Sequence, residues 1–462
     1  MSPGPSTALD RSRVPAATPR RPFRFPQVER RTIAGGVELL MAPLPGRGLT
    51  QLDLICPGGA QYETAAEGGL ATLTASLLDE GTPGANALDI ARRLESIGGS
   101  LVTSADWDAI YLSAGVPAEH GERALELLSE LAREACFPDD EIERLRRQRL
   151  AELRRRSAQP AFLAANQLAR AIYGDGAYGH SLLGSDASVA ALDRQQIVRF
   201  AHRHVVPTGA SLVAVGDFEP APFAALCDQL LAPWTAADPP APPPAPRPTA
   251  DHLIWIVDRP GSMQTEVRCG QAGIPRRHPD FAPLQVLNSI LGGKFTSRLN
   301  LSLRERHAVT YGAYSRISGR TGPGPIVLGA AVANEAAGLA LGEMLAELGR
   351  LRETPVAADE LADSRDYLLG VFPYVLQTVG GISRRLETLA VHDLPDDYFE
   401  SYLARVEAVS ADELLDCARA HLRPQESAAV AVGPADELRP QLEPHGEVRV
   451  IDPKAMSEGV EP

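Results

Sequence analysis

Gly69-Leu70-Ala71-Thr72-Leu73-Thr74-Ala75-Ser76-Leu77-Leu78-Asp79-Glu80-Gly81-Thr82 is the most informative stretch of this chain, because of what it lacks. A glycine leads into an apolar run, and a Gly-Thr pair closes it. On a helix, positions 72 and 76 stand one turn apart with position 75 beside them. Two histidines and a glutamate so spaced hold Zn²⁺ and activate a water. The residues found there are Thr72, Ala75 and Ser76, which can do neither.

The frame around those positions resembles the segment Gly-Leu-Ala-His-x-x-Glu-His-x-x-x-x-Gly-Thr that carries the zinc in the pitrilysin/insulinase family of metallopeptidases, which includes the mitochondrial processing peptidase. Gly69, Leu70 and Ala71 in front and Gly81-Thr82 behind keep the family's spacing. The family's third zinc ligand is a glutamate on a later helix, and Glu152, in Arg149-Leu150-Ala151-Glu152-Leu153, fits that place. A carboxylate without imidazole neighbours makes a poor zinc site. Glu152 is therefore expected to pair with the nearby arginines, and no metal is expected in this chain. His180, in Tyr178-Gly179-His180-Ser181, matches a structural turn of the family, and His202 and His204, two apart, diverge on a helix.

In the second half, Leu291-Gly292-Gly293-Lys294-Phe295-Thr296-Ser297-Arg298-Leu299 leads into Leu303-Arg304-Glu305-Arg306-His307-Ala308-Val309-Thr310-Tyr311. This resembles the family's "G-G-x-x-S-S-R-L … L-R-E-x-x-G-L-A-Y" segment, except that His307-Ala308-Val309-Thr310 replaces its glycine-containing turn. The resemblance implies that Arg304 and Tyr311 are the arginine/tyrosine pair that reaches the zinc site from an opposing domain. A guanidinium and a phenol can hold a substrate carbonyl and stabilise the oxyanion that forms on it. Gly292-Gly293-Lys294 lacks the surrounding pattern of a phosphate-binding loop.

Leu231 to Ala250 reads LAPWTAADPPAPPPAPRPTA, a proline density that favours an extended linker. It divides the chain into two halves that look alike. Gln195–His204 and Ser410–His421 read as helices, each followed by a proline-marked turn and an apolar strand ending in glycine, Ser211–Asp217 and Ala428–Gly433. Further strands are expected at Gly36–Met41, Leu52–Ile55 and His252–Val257, and helices at Ala87–Ile97, Gly121–Ala135 and Asp139–Arg156. The expected architecture is α+β: two related domains, 27–230 and 251–452, each a mixed β-sheet with helices packed on one face. A flexible arm (1–26), the linker (231–250) and a tail (453–462) complete it.

The chain has 462 residues, too many for one core. A net charge of −14 argues against a nucleic-acid partner, and the arginine-dense run from Arg144 to Arg156, interspersed with acids, reads as a solvated helix face. Five scattered cysteines form no metal or disulfide framework. The N-terminus lacks the apolar segment of a secretory signal and no stretch is apolar enough to span a membrane, so a cytoplasmic location is expected. Loss of the zinc motif with retention of Arg304 and Tyr311 implies a non-catalytic subunit of a heterodimeric zinc peptidase. Zinc would sit in a paralogous partner, and unfolded peptides would be the substrates, admitted as the halves open about the linker. The alternatives are a scaffolding protein with a peptidase-like fold and a homodimeric peptide-binding module.

Overall fold

The computed structural model describes residues 24–235 and 253–454; most of the expected arm, linker and tail lies outside them. In chain order the strands of the first half are β1 (Glu29–Thr32), β2 (Glu38–Pro43), β3 (Leu49–Pro57), the two-residue strands β4 (Gly81–Thr82) and β5 (Ala85–Asn86), β6 (Ser100–Ala105), β7 (Ala109–Pro117) and β8 (Ser211–Gly216). β4 and β5 pair only with each other, and the rest form one sheet in the order β1-β2-β8-β3-β7-β6. The second half contributes β9 (Ile254–Asp258), β10 (Gln264–Ala272), β11 (Ala313–Ile317), β12 (Pro325–Ala333), β13 (Ala428–Gly433) and β14 (Val448–Ile451). Their order, β11-β12-β10-β13-β9-β14, repeats five strands of the first sheet; the sixth differs, since β1 opens its half antiparallel to β2 whereas β14 closes its half parallel to β9. In each half the late strand inserts between the two early ones, parallel to one and antiparallel to the other.

The helices before those late strands are equivalent too. Asp193 caps Arg194–His204 and Ser410 caps Ala411–His421, each in a reciprocal capping box with Gln196 or Glu413. The sequence repeat is thus a repeat of structure.

β8 and β13 are buried at every position, with none of the in–out alternation of a sheet that has one wet face. Their continuous apolar runs are needed because both faces of each sheet are covered. One face packs on the half's own helices, as Leu39, Leu52, Leu54 and Leu212 do with Leu73, Leu77, Leu128 and Ile197. The other face receives a helix from the opposite half. Ile382, Leu386 and Leu389 of the Val379–Val391 helix pack on Leu40, Ile55, Val213 and Val215 of the first sheet. Leu163, Leu168 and Ile172 of the Pro160–Tyr173 helix pack on Val257, Val430 and Val432 of the second.

Polar contacts bind the same seam. Thr321 donates to Asp108 through Oγ1 at 2.6 Å and through its amide at 3.2 Å. Tyr173 donates to the Pro323 carbonyl at 2.9 Å, and Arg320 lies over the rings of Trp107 and Tyr178. This reciprocal exchange corrects the expectation that the halves open about the linker. Swinging them apart would expose two apolar helix faces and two sheet faces at once.

Candidate functional site

The Leu70–Leu77 helix starts at Gly69, whose φ of 92° is left-handed. A Cβ there would sit 2.8 Å from the Leu183 carbonyl oxygen, so glycine is required. The buried Glu63 carboxylate accepts hydrogen bonds from the amides of Gly69, at 3.0 Å, and Ala71, satisfying donors at the helix start. His180 Nε2 lies 3.0 Å from the same carboxylate. Burial pushes the Glu63 carboxyl above its ordinary value, against the pull of His180 and the two amides. His180 therefore has the structural part its turn suggested.

One turn into this helix, Thr72 Oγ1 donates to the Leu182 carbonyl at 2.7 Å and accepts from Arg149 Nη1 at 2.7 Å. Ser76 Oγ donates back to the Thr72 carbonyl at 2.9 Å, and Ala75 is fully buried. The Asp139–Ser157 helix presents Arg149 to this place, and Glu152, which the resemblance put at the third ligand position, pairs with nearby arginines as expected. Glu152 faces solvent and accepts two hydrogen bonds from Arg155, at 2.8 and 2.7 Å, and one from Arg156 at 2.5 Å. Those bonds hold its carboxyl down at about 2.

The structure therefore brings Thr72, Ala75 and Ser76 together and leaves Glu152 apart. The donors facing the position are hydroxyls already engaged and a guanidinium. Zinc does not fit this set: it needs imidazole, thiolate or carboxylate lone pairs, and a fixed cation repels it. Arg149 was legible only as one of a run of arginines on a surface helix. Burial lowers its guanidinium's affinity for the proton, which the Glu63 charge partly restores.

In the second half, the motif around Ser297-Arg298-Leu299 is structural. Arg298 forks onto Glu360 with two bonds of 2.7 Å, and Ser297 is buried. A Cβ on Gly292 would lie 2.2 Å from the Ser315 amide nitrogen, so close packing accounts for this glycine. Lys294 is buried and paired with Asp363, which removes it from any phosphate-binding role.

Arg304 stands on a turn of π-helix, Asn300–Arg306, with its guanidinium 4.3 Å over the Phe295 ring. Glu305 lies 3.7 Å away, and Arg304 Nη1 is buried without a hydrogen-bond partner. Tyr311 follows at 94% exposure, and Phe295 and Leu301 earlier in the same segment are exposed as well. Phe295 escaped notice in the sequence because nothing marks an apolar residue after a lysine as exposed. Ala308, at the place of the resembling segment's glycine, adopts a left-handed φ of 53°, a conformation that glycine takes more readily than alanine.

A two-sheet molecule with a motif stripped of its metal ligands defines a zinc-peptidase scaffold without the means to hold zinc in the usual place. Family models agree on the scaffold: Insulinase (Peptidase family M16) matches residues 49–186, and the Peptidase M16 inactive domain matches 191–368. The chain belongs to the M16 peptidase family. It is 25% identical to an uncharacterized zinc protease of Streptomyces coelicolor over 88% of this chain and 90% of that one. Its fold matches a crystal structure of a peptidase M16 inactive domain from Pseudomonas fluorescens with a TM-score of 0.83. That match has 25% identity and covers 88% of this chain and 98% of the other. A protease from Helicobacter pylori also superposes with a TM-score of 0.83, at 19% identity, covering 89% and 100%. No described helix is long and apolar enough to cross a membrane.

Proposed function

We propose that this chain is the non-catalytic subunit of a heterodimeric zinc peptidase, completing a site whose metal is held by a paralogous partner. The observation that carries this reading is the contrast between its two halves. The first half fills the motif position with Thr72, Ala75, Ser76 and Arg149, whereas the second leaves Tyr311 94% exposed and Arg304 Nη1 unpartnered. Exposed aromatic surface of this kind is what a partner or substrate covers.

In this role Arg304 and Tyr311 would face the partner's zinc. Arg304 would donate to the substrate carbonyl and, more strongly, to the oxyanion it becomes, with the Tyr311 hydroxyl as a second donor. An extended peptide would add to the free edge of β6, where residues alternate between exposed and half-buried. Because the halves are interlocked, entry would depend on movement between subunits.

The test is peptide hydrolysis by this chain, by a paralogue with an intact His-x-x-Glu-His motif, and by their mixture, each with Zn²⁺. Activity is expected only in the mixture. Arg304→Ala or Tyr311→Phe should lower the mixture's kcat by about 10²–10³-fold. A double variant that supports full hydrolysis would leave this chain as scaffold, and cleavage by the chain alone would overturn the assignment.

A further inference from the structure

Three side chains outside the site described above converge in the second half. His278 and Asp280 lie in the turn before the Phe281–Asn288 helix, and His421 ends the Ala411–His421 helix. We propose that His278, Asp280 and His421 form a binding site for a divalent transition-metal ion, with Zn²⁺ the ion their donors suit.

One ligand atom from each residue lies within 4.8 Å of the others, and all three residues are half-buried, so an ion can reach them from solvent. His421 Nε2 is 2.7 Å from Asp280 Oδ2, and His278 Nδ1 is 3.9 Å from the same oxygen. The two imidazoles stand edge to face, with ring centres 5.2 Å apart. Two imidazoles and one carboxylate favour zinc-like ions over Mg²⁺ or Ca²⁺, which prefer all-oxygen sets. Three protein donors leave a further position for water, as in an open zinc site.

The surroundings favour a cation. His421 is at the C-terminal, negative end of its helix. Gln271 Nε2 donates to the His421 carbonyl at 2.8 Å and fixes that end. The Asp280 amide donates to His278 Nδ1 at 3.1 Å, so this nitrogen carries a lone pair, the form in which imidazole ligates. Binding an ion exchanges that hydrogen bond for a coordinate bond. Cys417, one turn earlier on the helix, stays outside the cluster, its thiol kept protonated by burial, which pushes it up to about 12.

The first half shows what this position looks like when it is only structural. His204 ends the equivalent helix, is buried, donates from Nδ1 to the Pro57 carbonyl at 3.2 Å, and packs on Tyr62 and Phe200. In the second half the carbonyl partner is replaced by a carboxylate, and a second imidazole is added beside it. A helix-end pairing needs neither the second ring nor the exposure; a chelate needs both.

The test is titration of chelator-treated full-length chain with Zn²⁺, followed by calorimetry and by thermal unfolding, with Mg²⁺ as control. A saturable Zn²⁺ site that raises Tm is expected, with no comparable effect of Mg²⁺. His278→Ala and His421→Ala should each weaken it by more than about tenfold. His421→Ala also removes a helix-end contact; if it fails to fold, His278→Ala and Asp280→Asn, in the half-buried turn, decide. Absence of saturable Zn²⁺ binding, or unchanged affinity in His278→Ala, would overturn the proposal.

Discussion

Ala308 is where this chain departs from the second-half segment it resembles, and its backbone shows what the departure does. An L-residue in the left-handed region is disfavoured by roughly 1–2 kcal/mol. The turn persists because its neighbours fix it. The Val309 amide donates to the Leu303 carbonyl at 3.0 Å, and Thr310 Oγ1 to the Ala331 carbonyl at 2.7 Å. The Ala308 methyl is exposed and has little packing to lose. Ala308→Gly is therefore expected to raise unfolding free energy by about 0.5–1 kcal/mol, as relief of strain exceeds the added entropy of the unfolded chain. Urea unfolding measures this, and a loss of stability would mean the methyl makes a contact that matters. Arg149 makes a related point about single residues. At the place of the resembling motif's ligands, a hydroxyl and a guanidinium satisfy each other at 2.7 Å.

Among elements, the two exchanged helices matter most. Leu386 is fully buried between the Val379–Val391 helix and the first sheet. Leu386→Ala should cost about 2–5 kcal/mol. Since the helix belongs to one half and the sheet to the other, calorimetry should show one transition moved as a whole. A split in which part of the heat keeps its midpoint would show independently folding halves. The repeated elements were legible in the sequence. Arg194–His204, Ala411–His421, β8 and β13 fall close to where apolar spacing and turn residues put them, because local pattern specifies them. The exchange was not, although β8 and β13 held the clue: apolar runs without alternation need cover on both faces. Nothing local says that the cover for one half comes from the other. For the same reason Thr72, Ala75 and Ser76 could be placed from spacing, whereas the contact of Arg149 with Thr72 depends on packing between two helices that no spacing encodes.

At the scale of the whole molecule, the seam between the halves contains an acidic group that ties the assembly to pH. Ser383, on the second half's helix, donates to the buried Asp53 of β3, and Glu387 lies one turn further along that helix. A cavity of about 530 Å³ opens beside them, lined also by Asp106, Tyr111 and Arg384. Burial, then the charge of Asp53 and a hydrogen bond with it, push the Glu387 carboxyl from its ordinary 4.5 up to about 8, with Arg384 pulling it down and Asp106 raising it further. The folded chain therefore keeps a proton on Glu387 that the unfolded chain releases above pH 4.5. Its stabilising contribution is complete below that value and is lost as pH rises toward 8, by up to about 1.4 kcal/mol per pH unit. Glutamine preserves the neutral, donating form at every pH. Glu387→Gln should accordingly match the natural chain in unfolding midpoint near pH 5, exceed it increasingly toward pH 8, and give the flatter profile. Parallel profiles would show that Glu387 is already ionised in the fold. Asp53 would then face a second negative charge, and the apolar contacts of Ile382, Leu386 and Leu389 would have to hold the halves together against that repulsion.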